Sequence, residues 1–124
     1  MNRKILFKKI NELCLYLDSK YNVNSGGCCY VAACISEQLE LHNIPFKIIH
    51  YDLWGCHYAV KVSDRYLNRC DYRKKEITEI LEDYTSKDLF ELYCNGSWNE
   101  TYNSKHNSTV KRLIEQIFNE NSRT

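Results

Sequence analysis

The chain has 124 residues, 44% apolar and 27% charged, with one proline and four glycines, the composition of a globular unit that buries a single core. Seventeen Lys/Arg against sixteen Asp/Glu leave a formal net charge of +1. With no basic excess to neutralise a phosphate backbone, sequence-independent nucleic-acid binding is disfavoured. One domain spanning residues 1–124 is expected.

The opening segment MNRKILFKKINELCLYL starts basic, but Lys8, Lys9, Asn11 and Glu12 interrupt it before any apolar run of signal-peptide or membrane-spanning length. A cytoplasmic protein that does not enter membranes is the expectation. Apolar side chains at Leu6, Ile10, Leu13 and Leu17, with Cys14 beside them, recur at helical spacing, so a first helix is predicted from about Asn2 to Lys20. Tyr21 to Gly27 (YNVNSGG) is a loop signal. A second helix follows from the Cys28-Cys29 pair, carrying Val31, Ile35 and Leu39, and His42-Asn43 with Pro45 close it.

Phe46 to Tyr51, His57 to Val62 and Tyr66 to Tyr72 are short, aromatic and branched, and read as three antiparallel strands, the last two a hairpin turning at Ser63-Asp64-Arg65. Beyond Arg73 the spacing of Ile77, Ile80, Leu81 and Tyr84 predicts a helix, with a new start at Ser86 carrying Leu89, Phe90 and Tyr93. Asn95 to Asn107 is polar and turn-rich. Val110, Leu113, Ile114, Ile117 and Phe118 then mark a C-terminal helix capped near Ser108. The order predicts an α+β fold, helices packed on a small antiparallel sheet.

Seven cysteines is an odd number, so a complete set of intramolecular disulfides would leave one over. Without an export signal, reduced thiols are the default. Cys28, Cys29 and Cys34 form no C-x2-C pair, and Cys56-His57 are adjacent, so no metal site is expected. Cys14, Cys34 and Cys70 fall on apolar or strand positions and read as core thiols.

A cysteine at a helix N-terminus meets unpaired backbone N–H groups and the positive end of the macrodipole, which favour its thiolate. Cys28 and Cys29 are the two candidates. A nucleophilic thiol also needs a base, and a histidine on a neighbouring strand, oriented through its other ring nitrogen, supplies one. His57 opens such a strand. Its orienting partner is Asn68 or Asp71 on the return strand: a two-residue Ser63-Asp64 turn sets Cys70 opposite His57, a three-residue turn sets Asp71 there, and Asn68 reaches it diagonally. The backbone N–H of Cys29 and the side chain of Asn24 are candidate oxyanion donors, and Trp54 and Gly55 candidate substrate contacts. His50, beside Asp52, lacks a following hairpin; His42 and His106 have no partner by sequence, and Trp98 marks a contact surface.

Ser25-Gly-Gly-Cys-Cys-Tyr30 resembles the Gly-Gly-x-Cys-Tyr turn that opens the nucleophile helix of arylamine N-acetyltransferases. It is also similar to the Gly-x-Cys-aromatic start of that helix in papain-like peptidases. HYAVKVSDRYLN resembles the strand pair of the wider papain-like and transglutaminase-like superfamily. The resemblance covers residues 21–72 and implies a minimal papain-like core in which Cys29 is the nucleophile, His57 the base and Asn68 the orienting residue. It implies a cofactor-free hydrolase or acyltransferase acting through a thioester on a peptide or protein amide. The alternative is a catalytically inactive version of that fold used as a binding or structural module; a metal-stabilised or redox-sensing protein is a third reading. The asparagine- and lysine-rich composition fits an AT-rich bacterial or phage genome.

Overall fold

A computed structural model describes residues 2–51, 57–69, 78–96 and 101–121. Along them run α1 (Arg3–Tyr21), α2 (Cys28–Leu41), β1 (Lys47–Tyr51), β2 (His57–Val62), β3 (Arg65–Leu67), β4 (Glu79–Glu82), α3 (Ser86–Asn95), a 3-10 turn (Ser104–His106) and α4 (Asn107–Asn121). The architecture is α+β.

Asn2 caps α1 by accepting the Ile5 N–H on its side chain, and of the predicted stripe Leu6, Ile10 and Leu17, with Cys14 beside them, are buried while Leu13 is partly buried. The helix stops where Asn22 adopts a left-handed φ of 58°, a conformation asparagine tolerates. The centre of the fold is α2, which packs against α3, α4 and β2 at once. Burying one large apolar side chain contributes about 1.5–3 kcal/mol, so a helix buried on most of its circumference dominates the core. Among the described residues, no helix is long and apolar enough to cross a membrane.

The strands form one antiparallel sheet in the order β3-β2-β1-β4. Val62 pairs with Arg65 across a two-residue Ser63-Asp64 turn, which needs a positive φ, and Ser63 supplies 56°. Tyr58, Val60 and Val62 enter the main core under the helices, whereas Ile49, Tyr51 and Ala59 form a second cluster with Tyr66 on the alternate face.

Two predicted elements differ. Residues 79–82 form a strand on the free edge of β1, where a helix is expected from Ile77 to Tyr84. Ile80 and Leu81 are exposed, so the apolar spacing never became a buried helical stripe, and pairing satisfies backbone groups that β1 would otherwise leave open. The start of the predicted helix, Ile77, lies outside the described residues. The return strand stops at Leu67, because Asn68 turns left-handed with φ 59°. By contrast, α3 begins at Ser86 as the sequence indicates, fixed by a Thr85/Asp88 capping box.

Candidate active site

The loop that delivers the chain into α2 uses its two glycines differently. Gly26 has φ 104°, which side-chain-bearing residues rarely adopt. Gly27 is needed for space: a Cβ there would lie 2.6 Å from Tyr102 Cδ2 and 2.8 Å from the Val23 carbonyl oxygen. Segment 101–102 clamps this turn from outside, with the Tyr102 N–H donating to the Ser25 carbonyl at 3.0 Å and Ser25 Oγ 2.7 Å from Thr101 Oγ1. The cap residue of α2 is Gly27, which has no side chain with which to cap the first turn.

Both cysteines at this helix head are buried. Cys29 Sγ donates to the Leu89 carbonyl of α3 at 3.4 Å. Desolvation, reinforced by Cys28 and Cys94, pushes its pKa up to about 12. Burial thus opposes the thiolate stabilisation expected at Cys29 from the helix terminus. Removal of water from the thiolate outweighs a partial charge of about +0.5 at the helix end.

His57 stands opposite Tyr51 at the start of β2, its ring 5.7 Å from the Tyr51 ring. Its Nε2 lies 2.6 Å from the backbone carbonyl oxygen of Asn68. A carbonyl only accepts, so Nε2 carries the hydrogen and, in the neutral ring, Nδ1 holds the lone pair. Burial lowers the pKa of His57, while the Asn68 carbonyl and the Asp18 carboxylate pull the other way. The left-handed backbone of Asn68 presents its carbonyl to His57 and its amide to the α1–α2 loop.

There Asn68 Nδ2 donates to Asn24 Oδ1 at 3.0 Å and Asn24 Nδ2 donates back at 3.4 Å. Asp18 accepts the Asn24 N–H at 3.0 Å, and Asn11 accepts the Asn68 N–H at 2.9 Å while donating to the Tyr66 carbonyl. The imidazole, both asparagines and the ends of α1 and β3 thus form one hydrogen-bonded junction immediately before α2.

No protein-family model, curated protein or solved structure matches the chain.

The structure brings together His57, Asn68 and Asn24, and it sets Cys29 against α3. Asn24, the expected oxyanion donor, joins its side-chain amide to that of Asn68. Trp54, Gly55, Asp71, Cys70 and Trp98 lie outside the described residues. Cys14 and Cys34 are buried, as core thiols should be. His50 stacks on Tyr58 with ring centroids 4.8 Å apart, and His42 on Phe118 at 5.8 Å. Among the described residues, no group of three His, Cys, Asp or Glu side chains is placed to hold a metal ion.

Sequence reading missed Asn11, Asp18, Leu89 and Tyr102. Asn11 left one trace, an amide of poor helix propensity in mid-helix. For Leu89, whose contribution is a backbone carbonyl, no side-chain pattern exists to be found.

The described residues place a buried imidazole whose Nε2–H meets the Asn68 carbonyl, a helix that starts at a glycine cap, and two adjacent thiols in its first turn.

Proposed function

We propose that the chain is a cysteine-dependent hydrolase or acyltransferase acting on a peptide or protein amide. His57 and a thiol of the Cys28-Cys29 pair work through a thioester on a minimal papain-like or transglutaminase-like core. The observation that carries this reading is the His57 tautomer: donation from Nε2 to the Asn68 carbonyl leaves Nδ1 as a neutral base at a buried site. In the first half-reaction Nδ1 takes the thiol proton and the sulfur pair forms a bond to the acyl carbon. The carbon–nitrogen bond then breaks, and the leaving amine keeps that pair and receives the proton from Nδ1. Water or a second amine resolves the thioester. The backbone N–H groups at the start of α2, where the Gly27 cap brings no side chain, suit the oxyanion of both steps.

The contact of Cys29 with Leu89 favours a second reading, in which the fold is catalytically inactive and serves as a binding or structural module. Alkylation by iodoacetamide as a function of pH, with tandem mass spectrometry to assign each adduct, separates the two. Wild type is compared with His57→Ala, Asn68→Ala and Asp71→Ala. The enzyme reading expects one cysteine of the pair to label below pH 8 in a His57-dependent manner, well under the pKa of about 8.5 of a free thiol. Labelling no faster than an ordinary thiol, unchanged by His57→Ala, overturns it in favour of the module.

A further inference from the structure

Cys28 and Cys29 are neighbours in sequence but stand about 100° apart around α2, so they belong to different faces. Cys29 lies on the stripe it shares with Ala33, Ser36 and Glu40. Both ends of that stripe touch α3, Cys29 through the Leu89 carbonyl and Glu40 through the backbone N–H of Ser86 at 2.9 Å. The next stripe carries Tyr30, Cys34 and Glu37; Tyr30 meets Phe90 and Tyr93 of α3, and Glu37 pairs with Lys111 of α4 at 3.5 Å. Those contacts account for α3 and α4, and the other described element that packs closely on α2 is β2. The stripe left to face it is Cys28, Ala32, Ile35 and Leu39, each no more than 2% exposed.

The same end of the helix carries His57. The short link 42–46 joins α2 to β1, which ends at Tyr51. His57 pairs with Tyr51. The bonds from His57 to Asn68 and from Asn68 to Asn24, four residues before Cys28, tie the imidazole to the same point.

We infer that Cys28, and not Cys29, is the nucleophile that His57 serves, while Cys29 is a structural contact to α3. This assignment rests on the acyl-transfer reading above. It places the Sγ–acyl bond on Cys28, with the thiol proton passing to Nδ1 of His57 and on to the leaving group.

The test is acylation of the intact protein by p-nitrophenyl acetate, with the hydroxylamine-labile acetyl group located by tandem mass spectrometry. In the wild type the adduct is expected on Cys28 at no less than tenfold the rate on Cys29. It is expected to vanish in Cys28→Ser and His57→Ala and to persist in Cys29→Ser, whose hydroxyl still donates to Leu89. Mapping in the wild type needs no variant to fold. A His57-dependent adduct on Cys29 that survives Cys28→Ser overturns the assignment and leaves the acyl-transfer reading standing. Absence of any His57-dependent adduct on either cysteine overturns both.

Discussion

Asn24 and Asn68 hold each other by reciprocal amide bonds, 3.0 Å from Asn68 Nδ2 to Asn24 Oδ1 and 3.4 Å in return, across 44 residues of chain. This pair ties the loop before α2 to the end of β3. Because the Asn68 carbonyl also engages His57, the amide pair fixes where the imidazole sits relative to the helix head.

Asn24→Ala is expected to cost about 1–3 kcal/mol, since it leaves the largely buried Asn68 amide without its partner. Asn68→Ala should cost more, because alanine also resists the left-handed φ of 59°. Asn68→Gly should fall between them, restoring the backbone but not the amide. Urea unfolding measures all three; an Asn24→Ala variant within about 0.5 kcal/mol of wild type would show that the pair is not structural.

The lowered pKa of His57 gives stability a pH dependence on the acid side. Burial holds the folded value below the ordinary 6.5, so between the two the unfolded chain binds more protons and stability rises with pH. The contribution is fully present above 6.5 and is lost as pH falls through the folded value. Unfolding midpoints measured from pH 8 to 5 should decline for wild type and decline less for His57→Gln. Parallel curves would mean that His57 titrates normally in the folded state.

Where the candidate site's residues fall was legible in the sequence because they stand beside punctuating residues. The glycine pair, the cysteines after it and His57 at a strand start all fall where the sequence places them. The α1 stripe and the Ser86 start of α3 were readable for the same reason, a repeating apolar period or a cap. What was hidden depends on tertiary partners. Glu79–Glu82 becomes a strand because β1 has an open edge, and Cys29 is pinned by a carbonyl that no residue type advertises. The choice between adjacent thiols is set by what packs on each face of α2, which a helical period alone does not reveal.

Gly27→Ala tests the close approach at the head of α2. The cap residue has φ −112°, an allowed value, so any cost is steric. The added methyl would meet the Tyr102 ring and the Val23 carbonyl, and overpacking of this kind costs about 1–3 kcal/mol. Tyr102→Leu should relieve only part of the loss, since the Val23 carbonyl is backbone and stays in place. A thermal midpoint for Gly27→Ala equal to that of wild type would refute the contact.

Glu40 controls how well α3 covers Cys29. Its carboxylate accepts the Ser86 N–H at 2.9 Å and the Ser86 hydroxyl, placing an anion at the positive end of α3. Glu40→Ala removes both bonds and should loosen α3, the helix whose Leu89 carbonyl holds the Cys29 thiol. If local opening of α3 governs access, a loss of about 1.4 kcal/mol raises the Cys29 alkylation rate about tenfold. Iodoacetamide labelling of Glu40→Ala should therefore speed at Cys29 while Cys28, on the β2-facing stripe, changes little. Equal acceleration at both thiols would mean that α2 opens as a whole and that the two faces are not protected independently.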